Sequence, residues 1–346
     1  MLSEKASYHS LNLATQSNYR LLSRLKGEFG TWSNAWQNFA NSVKTAEPNQ
    51  DLEKLNALSI QLILFDEKEY PNLLREIPWP PLGIYVLGTL KNFDQSSLAI
   101  VGTRKASEDG KELAKYFGYS LSKSGFNIVS GLALGIDTAA HIGSLDASGQ
   151  TVAVLGNGLD QIYPKINKKL AERIIKSGNT IISEYPPGMP SLPHHFIERN
   201  RIISGLSKGI LVIEAPENSG ALSTARFALD QNREVFVIPG PIRHPNFRGS
   251  NELIRQGATL VTKSEHILEI LSPESLKEKM GKNVFSFAQN QEESLILNTL
   301  SHSRQAVDID KIIELTKLDA QTANRALSFL IIKNIVKETE SGYTLY

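Results

Sequence analysis

The sequence predicts an α/β protein, a parallel sheet covered on both faces, with a helical segment before it and a tail in winged-helix order after it. Three observations carry this. Strand-like apolar runs recur between 98 and 261, with helical patterns between most of them. Of the 24 glycines, 18 fall in 96–271, against four before and two after. The tail, 290–346, reads helix, helix, helix, hairpin. Continuous apolar strands separated by helices of about 10–15 residues mean βαβ units, whose sheet is buried on both sides.

The elements follow in chain order. Up to about 45, Tyr19, Leu21, Leu22 and Leu25, then Phe29, Trp32, Trp36 and Phe39, mark two short helices broken by Gly27 and Gly30. Residues 45–56, polar with one proline, read as a loop. Short apolar runs at Leu62–Phe65 and Ile84–Leu87 sit among prolines. The strand runs are Leu98–Val101, Phe126–Val129, Thr151–Leu155, Thr180–Ile182, Ile210–Ile213, Val235–Ile238 and Ala258–Val261. Helical patterns lie at Lys111–Lys123, Ile136–Ala147, Lys165–Lys176 and Ala221–Gln231. Residues 272–289 read as a polar linker. In the tail, Asp319–Phe329 would be the helix that enters a groove, were the tail to meet duplex DNA. The expected domains are therefore 1–56, 57–271 and 290–346, and at roughly 150 residues each, 346 residues suit two or three.

Composition excludes several classes. Lys and Arg number 37 against 36 Asp and Glu, a net charge of +1, so this is neither a basic nucleic-acid coat nor an acidic tail protein. By region the charge is −1 for 1–95, +3 for 96–271 and −1 for 272–346, with +4 inside 151–250. Cysteine is absent, which removes disulfides, zinc ribbons and thiol nucleophiles and suits a reducing cytosol. No signal pattern opens the chain and no apolar run reaches about 18 residues, so the expectation is a cytoplasmic protein without a membrane partner.

The candidate chemistry lies in glycine turns that follow strands. These are Val101-Gly102-Thr103-Arg104, Ser130-Gly131 through Gly135-Ile136-Asp137, Gly156-Asn157-Gly158, and Ser219-Gly220 through Thr224. Glycine lets a backbone approach an anion closely, and a following helix N-terminus presents unpaired N–H groups to it. Strand C-termini are where open α/β sheets bind ligands. Basic residues adjoin the turns: Arg104; Lys165, Lys168 and Lys169; and Arg199-Asn200-Arg201. Guanidinium forks and lysine point charges both suit phosphates. Arg199 and Arg201 could equally pair with Glu184, Glu198 or Glu214. Neither G-x-x-x-x-G-K-[ST] nor G-x-G-x-x-G occurs, so no nucleotide cofactor is expected. Phosphate recognition then points to a polyphosphate backbone or a mononucleotide.

Other patterns are decoys. Gly205-Leu206-Ser207-Lys208-Gly209 matches G-x-S-x-G, but in helix–turn–strand order, the reverse of a nucleophile elbow. His194 and His195 are adjacent and do not converge, and Asp137 with His141 reads as helix stabilisation, so no metal is expected.

Taken together, these strings resemble the DprA (DNA-processing protein A, or Smf) family across about 60–270. They include Ala99–Arg104, Ser130 to His141, Ala153–Gly158 with Tyr163-Pro164, Phe196 with Arg199–Ile203, Glu214 to Ala225, and Val237–Gly240. The resemblance implies an extended Rossmann-like core, a small sterile-alpha-motif (SAM)-like N-terminal domain and a winged-helix tail. It implies binding of single-stranded DNA, loading of the RecA recombinase onto it during natural transformation, homodimerisation and no known catalysis. Its DNA pocket carries over to Gly102, Arg104, Ser130, Gly131, Gly135, Lys165, Lys168, Arg199, Asn200, Arg201, Ser219, Gly220 and Thr224. Ile242, Phe247, Leu253 and Ile254 are candidates for the pairing surface, or for core. The alternative is a nucleotide phosphoribohydrolase-like enzyme of a related fold, with Glu214 or Asp230 as its carboxylate.

Overall fold

The structure is a computed structural model that describes residues 2–39, 47–90, 96–271, 290–301, 303, 306–332, 335–339 and 341–345. The expected linker at 272–289 lies outside them. The chain divides into two compact units, Met1–Ile267 and Leu268–Tyr346.

The first unit is built on a sheet in the order β1-β2-β6-β5-β4-β3-β7-β8-β9. Its strands are β1 Ile60–Leu64, β2 Gly83–Gly88, β3 Ser97–Val101, β4 Asn127–Ser130 and β5 Thr151–Leu155, then β6 Thr180–Ser183, β7 Gly209–Val212, β8 Glu234–Val237 and β9 Thr259–Leu260. From β6 to β9 every pairing is parallel. The β1–β2 hairpin joins antiparallel, with Tyr85 opposite Ser183. All five residues of β3 and of β5 are buried, as strands covered on both faces require. The chain lays β4, β5 and β6 on one side of β3, then returns to place β7, β8 and β9 on the other. The strand order therefore reverses between β3 and β7, and a crevice opens at their carboxyl ends.

The N-terminal helices are α1 Glu4–Ala14, α2 Tyr19–Phe29, α3 Trp32–Phe39 and α4 Pro48–Ala57. Gly27 lies inside α2, and Gly30, at φ +73°, ends it. The stretch read as a loop is largely helical. Pro48 starts α4 where a missing N–H costs nothing, and Leu55 is buried. Glu4 of α1 accepts from the backbone N–H of Trp32 and Ser33, at 2.8 and 2.9 Å, and so caps α3. Tyr8, Leu11, Trp32 and Trp36 share one apolar cluster with Leu62, Tyr85 and Leu155 of the sheet. On Tyr85, His9 Nδ1 lies 2.9 Å from the hydroxyl and Asn12 Nδ2 donates to it at 3.1 Å.

Between strands run α5 Asn72–Arg75, α6 Glu108–Lys123, α7 Ile136–Asp146, α8 Lys168–Lys176, α9 Pro193–Gly205, α10 Gly220–Asp230 and α11 Arg248–Arg255. A last helix, α12 Ser264–Leu271, crosses the boundary between the units. The apolar cluster containing Leu74, Ile203, Leu206, Ala225 and Leu253 is the larger half of the core.

The second unit has helices at Gln291–Ser301, Ile309–Thr316 and Ala320–Ile332, then an antiparallel hairpin of Val336–Thr339 with Gly342–Leu345. Ile296, Ile312, Leu327, Leu330 and Val336 form its core.

Two of the first unit's three buried histidines, His9 and His141, give it much of its acid limit. Burial draws His9 down to about 4, against Asp51, which raises it. Burial, helped by Arg199, draws His141 down to about 3. Both are neutral above the ordinary value of 6.5. As pH falls from 6.5 toward those values, the unfolded chain takes protons that the folded chain refuses. Stability should therefore fall by up to about 1.4 kcal/mol per pH unit for each histidine. His141→Gln removes one of the two, so its melting temperature should decline less steeply with acid. A slope equal to that of the unchanged chain would contradict this.

Candidate nucleic-acid interface

A cleft of 530 Å³ opens at the reversal point. It is lined by Val101–Lys105 after β3, by Ala133 and Asp137 after β4, by the α9 face bearing Phe196, Arg199 and Asn200, and by Pro216 to Thr224 after β7. Its size lies within the roughly 300–1,000 Å³ of small-ligand sites, which suits a nucleotide-sized group better than a length of duplex.

Each wall has a local cause. At the first turn, Thr103 N–H donates to the Glu214 carbonyl at 2.7 Å, which ties the end of β3 to β7. A Cβ on Gly102 would lie 2.5 Å from Ile136 Cγ1, so glycine is what lets α7 start this close. Gly135 precedes α7 at φ +79°, where a Cβ would also lie 2.5 Å from the Thr103 carbonyl oxygen. Ser130 is buried and donates to the Ile100 carbonyl at 2.7 Å, so it braces β4 from below rather than lining the cleft. On the far wall, Ser219 caps α10 by accepting from Ala221 N–H at 3.2 Å. Asn200 donates to the Gly220 carbonyl at 3.2 Å and to Ser223 Oγ at 2.9 Å, which sets α9 against the start of α10. Thr224 lines the wall with its hydroxyl turned back to the Gly220 carbonyl. The first turn of α10 therefore edges the cleft with the positive end of a helix dipole.

Two arginines supply charge. Arg104 is exposed, with its guanidinium 5.3 Å from the Phe196 ring centre; Tyr163 packs on the same ring at 5.3 Å. Arg199 is only 4% exposed, and its Nε and Nη1 are buried with no hydrogen-bond partner among the described residues. Burial pulls its pKa down to about 10, Asp137 opposing and Arg104 adding to the drop, so it remains a cation at neutral pH. A buried cation whose nitrogens lack hydrogen-bond partners is costly to a fold. Gly131 makes room for it: a Cβ there would sit 1.5 Å from Arg199 Nη1. The Gly131 and Ala133 N–H groups are taken by a carboxylate of the chain itself and are not left open to a bound anion, contrary to the sequence expectation. Both point to Asp137 Oδ2, at 3.0 and 3.4 Å. Burial raises the Asp137 pKa, against the pull of Arg199 and those two N–H groups.

Other expected residues lie elsewhere. Arg201 is 1% exposed and faces away from the cleft, with Nη2 donating to both Glu184 oxygens at 2.7 and 2.8 Å. Its guanidinium also stacks 4.4 Å from Trp79. It is a structural pair, the other reading its sequence allowed. Lys165 and Lys168 are exposed and neither lines the cleft, although Tyr163 does. Asn167 between them is buried, donating to the Leu132 carbonyl and Thr138 Oγ1, each at 2.8 Å; it fixes the glycine turn, a role its sequence gave no sign of. If the cleft takes a single strand and the two lysines only add long-range charge, Lys165→Ala with Lys168→Ala should weaken that binding by less than tenfold. The salt slope should fall by at most about 0.7 for each lost phosphate contact. A loss as large as that of an arginine variant would move the site to the lysines. Of the apolar pairing candidates, Ile242 is 84% exposed, whereas Phe247 and Leu253 are each 8% exposed and Ile254 is half-buried. Phe247 fills the space over Gly240, and Leu253 belongs to the sheet core. Phe247 and Leu253 are interior residues, and only Ile242 stands out as apolar surface.

The stretch that carries the cleft's turns matches a known family. The profile described as DNA recombination-mediator protein A matches residues 61–272, more than half of the chain. The chain belongs to that family. Protein Smf of Escherichia coli K12 is 46% identical over 210 residues, covering 61% of this chain and 56% of its own length. Protein Smf of Synechocystis is 39% identical over 273 residues, 72% of this chain and 68% of its own. This member of the family thus spans little more than half of the E. coli relative in that match. Among solved structures, DNA processing protein A of Streptococcus pneumoniae aligns with TM-score 0.64 and 33% identity, covering 78% of this chain and 94% of its own. That of Helicobacter pylori, described for its single-stranded DNA binding mode, aligns with TM-score 0.56 and 29% identity, covering 62% and 96%.

Proposed function

We propose that the chain is a single-stranded DNA-binding recombination mediator. It grips the phosphates of incoming strand in the reversal-point cleft, shields that strand, and loads RecA recombinase onto it during natural transformation. It acts as a cytoplasmic homodimer, with the second unit as a winged-helix domain. The observation that carries the DNA reading is Arg199, a buried cation without a hydrogen-bond partner beside exposed Arg104. An anion that enters there satisfies both. Bases are left to the aromatic pair Tyr163 and Phe196, which stack without reading sequence. The family and the H. pylori relative support the same reading.

The hydrolase reading needs a carboxylate facing the cleft. Glu214 is fully buried and held by the Ser107 backbone N–H and Asn246 Nδ2, at 3.0 and 2.8 Å. Asp230 ends α10, roughly 15 Å along the helix from its Gly220 end. Neither lines the cleft. Asp137 does, but it is engaged with two backbone N–H groups.

A gel-shift comparison of matched single- and double-stranded oligonucleotides tests the DNA reading, and preference for duplex would overturn it. Adding RecA to strand with and without the chain tests loading; filament formation should quicken when the chain is present.

A further inference from the structure

Arg104 reaches the cleft from a turn whose ties to the rest of the fold run to two residues outside the cleft. Thr103 N–H donates to the Glu214 carbonyl at 2.7 Å. The Lys105 carbonyl accepts from Asn246 Nδ2 at 3.0 Å. Ser107 N–H donates to Glu214 Oε2 at 3.0 Å, and the Ser107 hydroxyl donates to Oε1. Asn246 Nδ2 also donates to Glu214 Oε2, at 2.8 Å, which closes the set. Residues 103, 105 and 107, on both sides of Arg104, are therefore bound to Glu214 or to its partner Asn246. Glu214 itself is fully buried, two residues past β7 and against the start of α6. Gly110 in the first turn of α6 leaves the space for it, since a Cβ there would lie 2.5 Å from Oε1. Hydrogen bonds to a carboxylate are charge-assisted and roughly twice as strong as neutral ones, so they fix the turn more firmly than backbone bonds alone would. Asn246 comes from the loop after β8, and that loop has anchors of its own. Asn251 brackets Gly240, donating to its carbonyl at 3.0 Å and accepting from its N–H at 3.3 Å, and Phe247 fills the space over Gly240. Loss of the Asn246 amide leaves those anchors in place and releases the turn. None of Glu214, Asn246 and Ser107 lines the cleft.

We propose that Glu214 and Asn246 are positioning residues for strand binding: they clamp the Thr103–Ser107 turn and so hold the Arg104 guanidinium over Phe196, without meeting the strand themselves. The proposal rests on the cleft being the strand site. An exposed arginine gives up rotamer freedom when it meets a phosphate, and a turn free to move would add the freedom of its backbone to that cost. The clamp meets the second part in advance, at folding. It also ties one wall of the cleft to the loop after β8, although chain positions 107 and 246 lie far apart.

The test uses the full chain and a fluorescent oligothymidylate, titrated over a range of salt concentrations. Asn246→Ala should weaken binding roughly 5- to 30-fold, the worth of ordering the backbone of one residue. Its salt slope should fall by up to about 0.7, the share of one phosphate contact on a single strand. Arg104→Ala combined with Asn246→Ala should bind no worse than Arg104→Ala alone, because the asparagine acts through the arginine. Glu214→Gln, which keeps the size of the side chain and removes its charge, should show the same pattern. Melting temperatures show that each variant folds, and Asn246→Ala carries the test if Glu214→Gln does not. A general loosening of the fold would weaken the Arg104→Ala chain further, so additive losses would overturn the clamp. A loss of affinity in Arg104→Ala with none in Asn246→Ala would overturn the clamp and leave the strand reading standing. Full affinity in both would overturn the strand reading of the cleft and the clamp with it.

Discussion

Gly131→Ala is expected to abolish most strand binding while leaving the protein folded. Gly131 is not among the residues with positive φ, so its backbone admits alanine. What it does not admit is the methyl group, which would lie 1.5 Å from Arg199 Nη1 and 2.5 Å from its Cζ. A surface arginine would swing aside at little cost. Arg199 is 4% exposed and enclosed, so its guanidinium has to leave the position from which it lines the cleft. A charge-assisted contact is worth about 1.5–3 kcal/mol, so the affinity for single strand should fall roughly 10- to 150-fold. Because the glycine acts through Arg199, the two substitutions should not add. Gly131→Ala combined with Arg199→Gln should bind no worse than Arg199→Gln alone. Additive losses in that cycle would mean that Gly131 meets the strand directly.

Glu184→Gln should have the opposite profile, a large loss of stability with binding kept. Glu184 holds both of its oxygens against Arg201 Nη2 in a site where the arginine is 1% exposed. Burial alone would lower the Arg201 pKa, but Glu184, with Tyr185 and Tyr70 beside it, leaves it raised. Removing one partner of a buried pair leaves the other charge stranded, at a cost of about 3–5 kcal/mol. For a unit of this size that is a fall in melting temperature of roughly 10 °C. Strand affinity, measured where the variant is still folded, should stay within about twofold, because neither residue lines the cleft. Replacing both residues with apolar ones of similar volume should recover much of the stability. If Glu184→Gln weakened binding at unchanged stability, the pair would belong to the site after all.

These contrasting expectations show where the sequence is informative. The strands of the sheet were legible because a strand covered on both faces is apolar over nearly all its length, as Val152–Leu155 is. The glycine turns were legible because close approach leaves no other residue type, as at Gly102 and Gly135. The two arginines of Arg199-Asn200-Arg201 could not be separated. Residues two apart on a helix point roughly 200° from each other, so one had to face the cleft and the other the interior. Which one did so depends on Glu184 and Trp79, far off in the chain. Residues 48–57 misled because their polar face is ordinary for a helix that buries only one side, and Leu55 is that side. Phe247 and Leu253 read as possible surface because a short amphipathic stretch does not reveal which face the fold covers. Asp137 was expected to steady its own helix. Its reach back to Gly131 and Ala133 depends on the turn's shape, which composition does not record.

The central claim is that a few charges converging at the reversal point, and not the net charge of +1, hold a single strand. A crystal structure of the chain with a short oligothymidylate tests it most directly. A backbone phosphate should lie against Arg104 and Arg199, with the neighbouring bases over Tyr163 or Phe196. A strand bound along Lys165 and Lys168, with Arg199 still without a partner, would contradict it.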